Sequence, residues 1–185
     1  MITLGVDPGL TGAICALDSK GCVLLCEDLP IIRDGALKWV DSDALLSIIL
    51  SVKSAGQEMS AVVERQSARP GQGVSSSFSI GTTFGSLLAT IQIARASLQF
   101  CTAAKWKRDL GLSNDKNASI DKARLLFPIA DLSLKKHHGR AEALLIAHWA
   151  LNRRKIAEFS REVPEDSDIR EWRKWKQGKQ GATDV

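Results

Sequence analysis

The chain opens with Ile2-Thr3-Leu4-Gly5-Val6-Asp7-Pro8-Gly9-Leu10-Thr11-Gly12, an apolar run that ends in one aspartate and continues into a glycine-rich turn. The apolar run predicts a buried strand, and Pro8-Gly9 predicts a tight turn that leads into a second apolar run. A buried carboxylate is costly unless it has a partner. We therefore expect Asp7 to be held by a metal, a hydrogen-bond network or a ligand.

Length and composition are those of one ordinary globular domain. The 185 residues are 44% hydrophobic and 25% charged, which is enough to build a full core. No apolar run approaches the ~18 residues that a membrane span needs, and the N-terminus lacks the features of a signal peptide. We expect a cytoplasmic protein without a membrane partner, in which four cysteines without metal-site spacing are core thiols: Cys15, Cys22, Cys26 and Cys101.

Apolar runs, turn signals and caps predict the order of the secondary structure. Three short runs predict an antiparallel meander of strands at 2–6, 12–17 and 22–26. Two more predict strands at 60–64 and 98–101, and helices are predicted at 41–52 (capped by Ser42 or Asp43), 75–96, 102–110, 118–127 and 138–154. Residues 114–117 are predicted to form a polar loop. This order predicts an α/β fold of the ribonuclease H type, a mixed five-stranded sheet of three antiparallel plus two parallel strands flanked by helices.

Three acids fall where this fold would bring them together. Asp7 and Glu64 end buried strands, and Glu142 lies beside a stripe of small and apolar residues on the last helix. A lone Glu at such a place is usually a boundary residue, but the two strand-end acids favour a shared site. Clustered carboxylates need cations between them, and oxygen ligands favour Mg²⁺ or Mn²⁺. Two such ions about 4 Å apart can hydrolyse a phosphodiester, so the pattern predicts a metal-dependent nuclease.

The distribution of charge supports a polyanionic substrate. No acidic residue occurs among the 44 residues from Arg65 to Arg108, which contain six basic side chains. This composition favours a positive surface beside a nucleic acid. Chance bias in segments rich in Ser, Gly and Ala is the alternative.

Over about residues 2–154, the motifs resemble those of the RuvC Holliday junction resolvases, especially their phage and prophage forms. The pieces occur in the family's order: Gly5 to Gly12, Val62-Val63-Glu64, a middle region (Trp106-Lys107, Leu110-Gly111-Leu112, Asp115-Lys116 and Leu126-Phe127-Pro128), and His138 to Ala147. We expect a nuclease domain over residues 1–158, and the composition after it predicts a basic, Trp-containing tail over residues 159–185. The resemblance implies that Asp7, Glu64 and Glu142 are catalytic metal ligands.

The partners and cofactor follow from the same resemblance. It implies a homodimer that binds branched DNA, in particular four-way junctions, in the cytoplasm of a bacterial cell. It further implies two symmetric nicks, made with two Mg²⁺ ions per active site, for which Mn²⁺ would substitute.

This sequence has no metal-binding side chain at the position of the family's fourth ligand. In cellular RuvC proteins it lies one turn before the helical acid, but here the residue three before Glu142 is Gly139, which has no side chain. His138, four before Glu142, lies on nearly the same helix face and is expected to take this catalytic and metal-binding role. His137, water or another acid are the alternatives.

Further contacts to DNA are expected from the segment after Glu64 and from the middle region. Lys107 matches a family position near the scissile phosphate, and Lys116 matches another less securely; both could instead be ordinary solvated lysines. Phe78 would stack on junction bases or else be a core residue, and Ser76 would contact phosphate or cap its helix. The full expected DNA-binding set is Arg65, Arg69, Ser76, Phe78, Lys105, Lys107 and Lys116.

Three rival functions share parts of this pattern. An ATP-binding fold of the actin and sugar-kinase class has a similar Asp-x-Gly turn, but it needs two such domains. A non-catalytic junction-binding protein would account for Gly139, and a nuclease for forks and flaps would use the same acids.

In the tail, residues 170–176 interleave tryptophan with basic residues, as a DNA-contacting arm or a solvated tail would.

Overall fold

The computed structural model describes residues 1–35, 37–67, 70–113, 115–133 and 137–162. Its strands are β1 (Ile2–Asp7), β2 (Ala13–Leu17), β3 (Val23–Asp28), β4 (Ile31–Asp34), β5 (Leu37–Val40), β6 (Met59–Glu64) and β7 (Ser97–Cys101). Its helices are α1 (Ser42–Ser51), α2 (Val74–Ile93), α3 (Ala103–Asp109), α4 (Lys116–Leu126) and α5 (His138–Glu162).

The main sheet has five strands in the order β3-β2-β1-β6-β7. The pairs β1–β2 and β2–β3 are antiparallel, whereas β1–β6 and β6–β7 are parallel. Val6 pairs with Val63, so the next residues along the two strands, Asp7 and Glu64, emerge side by side at one edge of the sheet. The predicted mixed sheet is confirmed, and its parallel centre explains why two strand-end acids meet.

Helices cover both faces of this sheet, and each face has its own core. One core contains Cys15 and Val62 from the strands, together with buried residues of α3, α4 and α5. The other contains Leu4 and Val63, together with buried residues of α1 and α2. Adjacent strand residues therefore face opposite cores, as the two-residue repeat of a strand requires.

Helix α5 crosses β1 in direct backbone contact. A Cβ atom on Gly5 would lie 2.2 Å from the Ala143 carbonyl oxygen and 2.3 Å from the Ala147 nitrogen. Only glycine leaves room for so close an approach. This contact brings the N-terminal turns of α5, and hence Glu142, against the strand that ends in Asp7.

Several predicted local features were wrong. A hairpin, β4–β5, lies before α1; Asp34 pairs with Leu37, and Gly35, at φ 56° in the two-residue turn between them, was a signal for it. Helix α1 is capped by Asp41, whose side chain accepts from the Ala44 N–H, rather than by Ser42 or Asp43. The predicted polar loop at 114–117 ends early, because Asp115 caps α4 and Lys116 begins it.

The chain divides into two compact units, residues 1–152 and 153–185. The structure describes the second unit only to residue 162, so the tryptophan-rich segment 170–176 lies outside the described residues. The division at residue 158 stays a prediction. Among the described helices, none has both the length and the apolar character that crossing a membrane requires. All four cysteines are free thiols; Cys15 and Cys101 are buried, but Cys22 is exposed and is not a core residue.

Candidate active site

Asp7 ends β1 and lies within the field of two other acids. Its Oδ1 atom accepts a long hydrogen bond from the Gly9 N–H at 3.4 Å. Burial, and then the negative charges of Glu142 and Glu64, raise the pKa of Asp7 from 3.8 to about 7. The structure thus brings the three sequence-predicted acids close enough to interact, although they come from β1, β6 and α5.

Glu64 ends β6 and is held by a tryptophan. The Nε1–H group of Trp106, on α3, donates to Glu64 Oε2 at 2.7 Å. Strand pairing sets Glu64 opposite Cys101, and α3 begins two residues after Cys101 with Thr102 as its cap. Because β7 pairs with β6 and α3 follows β7 directly, the Trp106 side chain lies near the end of β6.

Glu142, on α5, is contacted by three polar side chains. The ammonium of Lys107 lies 2.6 Å from its Oε1 atom, and the Ser119 hydroxyl, on α4, donates to the same oxygen at 3.4 Å. His138 Nε2 lies 3.5 Å from that oxygen and is buried without a hydrogen-bond partner among the described residues. Lys107 and His138, both predicted site residues, are thus brought to Glu142.

Gly139 is required by packing. A Cβ atom at this position would lie 2.5 Å from the Thr11 carbonyl oxygen and 3.0 Å from the Gly12 Cα atom, so no side chain fits there. The first turn of α5 therefore packs on the turn that follows Asp7. The alternative ligand His137 is buried elsewhere, with its Nδ1 atom 3.7 Å from Asp131.

The donor set fits a divalent cation. As the side chains stand, no group of three or more His, Cys, Asp or Glu residues within the described part of the chain surrounds a single metal position. Two observations nevertheless favour a cation: beyond the effect of burial, the charges of Glu142 and Glu64 raise the pKa of Asp7, and His138 Nε2 has no hydrogen-bond partner among the described residues. Carboxylate oxygens suit Mg²⁺ or Mn²⁺. Asp7, Glu64 and Glu142 would hold the ion, and Lys107 would have to release Glu142.

The predicted DNA-binding residues after Glu64 are mostly exposed. Ser76 and Phe78 lie in the first turns of α2, and the Phe78 side chain is 69% exposed, which argues against a core role. The guanidinium of Arg65 lies 5.5 Å above the Phe100 ring. Arg69 lies outside the described residues.

The basic residues of the middle region are less available than their number suggests. Lys105 forms an ion pair with Asp109 at 2.7 Å, and Lys107 is paired with Glu142. Both partners lie outside the acid-free stretch, so sequence composition alone overstates the positive field. Lys116 is the first residue of α4.

Sequence reasoning missed three contacts that support the site. It gave no role to the Trp106 N–H or to Ser119, and it missed the bidentate pairing of Arg140 with Asp28, whose bonds are 2.6 and 3.1 Å long. The Arg140 pair fixes the first turn of α5 to the end of β3. Because Arg140 and Asp28 are 112 residues apart, no local sequence pattern could have paired them.

Known proteins resemble this chain in structure and, over part of its length, in sequence. No family model matches the chain. The structure is similar to that of Thermus thermophilus RuvC in complex with a Holliday junction substrate, with a TM-score of 0.60, 17% identity, and coverage of 84% of this chain and 96% of that one. A second structure of Thermus thermophilus RuvC gives a TM-score of 0.51 at the same identity and coverage. The chain has the RuvC fold.

A curated relative adds a local sequence match to this RuvC fold. The chloroplastic Holliday junction resolvase MOC1 of Chlamydomonas reinhardtii is 41% identical over 86 residues, which are 44% of this chain. The match spans only 10% of that relative's length. This local similarity to a junction resolvase agrees with the structural similarity to RuvC. Phage or prophage origin stays a prediction.

Proposed function

We propose that this protein is a metal-dependent endonuclease that resolves four-way DNA junctions by paired symmetric nicks. The observation that carries the proposal is the meeting of Asp7, Glu64 and Glu142 at one edge of a RuvC-type sheet, where burial and then the charges of Glu142 and Glu64 raise the pKa of Asp7. The RuvC fold and the local similarity to a junction resolvase support the choice of substrate.

The chemistry assigned to the site is phosphodiester hydrolysis. Two bound Mg²⁺ ions, or Mn²⁺ in their place, would supply an activated water and neutralise charge on the leaving oxygen. Asp7, Glu64 and Glu142 would bind the ions, with His138 as a fourth ligand. Lys107, once released from Glu142, would offset the negative charge that develops on the scissile phosphate.

The proposed partner is branched DNA, bound by a homodimer in the cytoplasm of a bacterial cell. Two symmetric nicks require two active sites, which a dimer supplies. The exposed ring of Phe78 is available to stack on an unpaired base at the junction, and Arg65, Ser76, Lys105 and Lys116 lie on segments that would contact phosphates.

Two rival functions lose their main support. Gly139 is explained by its packing against Thr11, so it no longer indicates a degenerate active site. The ATP-binding fold needs two similar domains, whereas the described residues form one five-stranded sheet and a two-stranded hairpin.

A substrate panel tests the proposal. Purified protein would be given Mg²⁺ and labelled DNA as a four-way junction, a fork, a flap and a linear duplex with the same arm sequences. Preferential paired nicking of the junction supports the proposal. Preferential cutting of forks or flaps moves the function to a broader branched-DNA nuclease, and binding without nicks under any divalent cation refutes catalysis.

A further inference from the structure

The indole of Trp106 is fully buried, and its one polar atom is directed at a carboxylate. The exposed fraction of Trp106 is 0%, and its N–H group donates to Glu64 Oε2 at 2.7 Å. A buried indole N–H needs a hydrogen-bond acceptor. A carboxylate at the end of a strand is stabilised by a hydrogen-bond donor held in a fixed position. The two side chains therefore satisfy each other, although 42 residues separate them.

The ring is held rigidly enough to fix the carboxylate. Trp106 packs within the core shared by α3, α4 and α5, and α3 begins directly after the strand that pairs with Glu64. A donor on a packed ring, bonded to one carboxylate oxygen, sets the rotation of the carboxylate about its last bond. Partners of this kind, one step removed from a metal, orient the ligands that touch it.

Trp106 also differs from its neighbour Lys107 in charge. Lys107 neutralises Glu142 with a full positive charge, so it competes with any cation for that carboxylate. The Trp106 N–H is a neutral donor, so it orients Glu64 without cancelling the negative charge that attracts a cation. Consecutive residues of α3 thus act on two acids in different ways.

Resting on the nuclease function proposed above, we propose that Trp106 is a positioning residue that holds the Glu64 carboxylate in the orientation needed to bind a divalent cation. The bond from Trp106 to Glu64 fixes the orientation of this carboxylate, which would act as the ligand. Loss of such a partner costs about 10- to 100-fold in metal affinity or activity.

The variant Trp106→Phe keeps an aromatic ring and removes the N–H group. Mn²⁺ binding to the DNA-free protein, measured by titration calorimetry, is expected to weaken about 10-fold. The matched control is Trp149→Phe, which removes an indole N–H that donates to Asp109 Oδ2 at 2.9 Å, and it should bind Mn²⁺ like the wild type. Unchanged Mn²⁺ affinity in a folded Trp106→Phe protein would overturn the proposal.

Excess metal separates positioning from packing. If Trp106 acts through Glu64 on cation binding, junction cleavage by Trp106→Phe should need more Mn²⁺ but return toward the wild-type rate at saturation. A defect that no Mn²⁺ concentration repairs would mean that the ring matters only for packing, and the positioning role would be wrong. If the wild type itself cleaves no branched DNA, the nuclease function fails instead.

A measurement on the native tryptophan covers the case in which Trp106→Phe does not fold. The indole N–H resonances of ¹⁵N-labelled wild-type protein would be followed during a Mg²⁺ titration, with assignments from substitution of the other tryptophans. The Trp106 resonance should shift, and the Trp149 resonance should not. A Trp106 resonance that ignores Mg²⁺ would refute the link between this bond and the cation.

Discussion

The ammonium of Lys107 lies 2.6 Å from the Glu142 carboxylate, and the two side chains are only 17% and 10% exposed. The ammonium of Lys107 supplies positive charge to this cluster of acids. The same contact sets up a competition, because a divalent cation and Lys107 cannot both occupy the same Glu142 oxygen. Two functions of Lys107 can therefore be separated by experiment.

The variant Lys107→Ala should bind Mn²⁺ more tightly than the wild type in the absence of DNA, since the competing ammonium is gone. Cleavage of a four-way junction at saturating Mn²⁺ should nevertheless fall by about 100-fold, as expected when a group that stabilises transition-state charge is removed. Calorimetry and single-turnover cleavage measure the two effects. Lys20→Ala, in the exposed turn between β2 and β3, is the control. Equal losses of cleavage and of junction binding would make Lys107 only a phosphate anchor.

The raised pKa of Asp7 predicts an unusual pH dependence of stability. Its ordinary value is 3.8 and its value in the folded protein is about 7, so between these pH values the folded state holds a proton that the unfolded state has lost. In the absence of metal, the contribution of Asp7 to the free energy of unfolding should therefore fall as pH rises from about 4 to 7, by up to about 1.4 kcal/mol per pH unit.

The difference between wild type and Asp7→Asn isolates this contribution from those of other acids. Melting temperatures in EDTA from pH 5 to pH 8 should show Asp7→Asn gaining on the wild type as pH rises. Mg²⁺ should then raise the melting temperature of the wild type at pH 8 and have little effect on the variant. Parallel pH profiles for the two proteins would contradict the raised pKa of Asp7.

Gly139→Ala should destabilise the protein and disturb the site. The new Cβ atom would lie 2.5 Å from the Thr11 carbonyl oxygen, a backbone atom that cannot rotate away. Overpacking of this kind costs about 1–3 kcal/mol. The control is Gly81→Ala, another helix glycine, whose Cβ atom would meet nothing within 4 Å and which should stabilise the protein slightly. Denaturant melts measure both, and a neutral Gly139→Ala would disprove the close contact.

Phe78→Ala distinguishes a DNA-stacking residue from a core residue. The side chain is 69% exposed, so its removal should leave the melting temperature nearly unchanged. Loss of a stacking contact should weaken junction binding by about 1–3 kcal/mol, which a fluorescence anisotropy titration would detect. If the melting temperature drops while junction affinity stays the same, Phe78 belongs to the core instead.

The sheet and its acids could be predicted because their signals are local. Apolar runs marked the strands, and the strand ends placed Asp7 beside Glu64 once a parallel pairing was assumed. The contacts that hold these acids could not be predicted, because they are tertiary. The bond from Trp106 to Glu64 depends on the exact path from β7 into α3, and that from Ser119 to Glu142 depends on how α4 packs. Gly139 looked like a missing ligand until its contact with Thr11 was visible.

The most direct test of the central claim is junction cleavage by the wild type and by Asp7→Asn, beside an affinity measurement on the same DNA. A 5′-labelled four-way junction would be incubated with Mg²⁺, with EDTA, and with the variant. We expect paired symmetric nicks from the wild type with Mg²⁺ only, and undiminished binding but no nicks from Asp7→Asn. Cleavage that survives in Asp7→Asn, or binding that is lost together with cleavage, would contradict the role of Asp7 as a metal ligand of a junction-resolving nuclease.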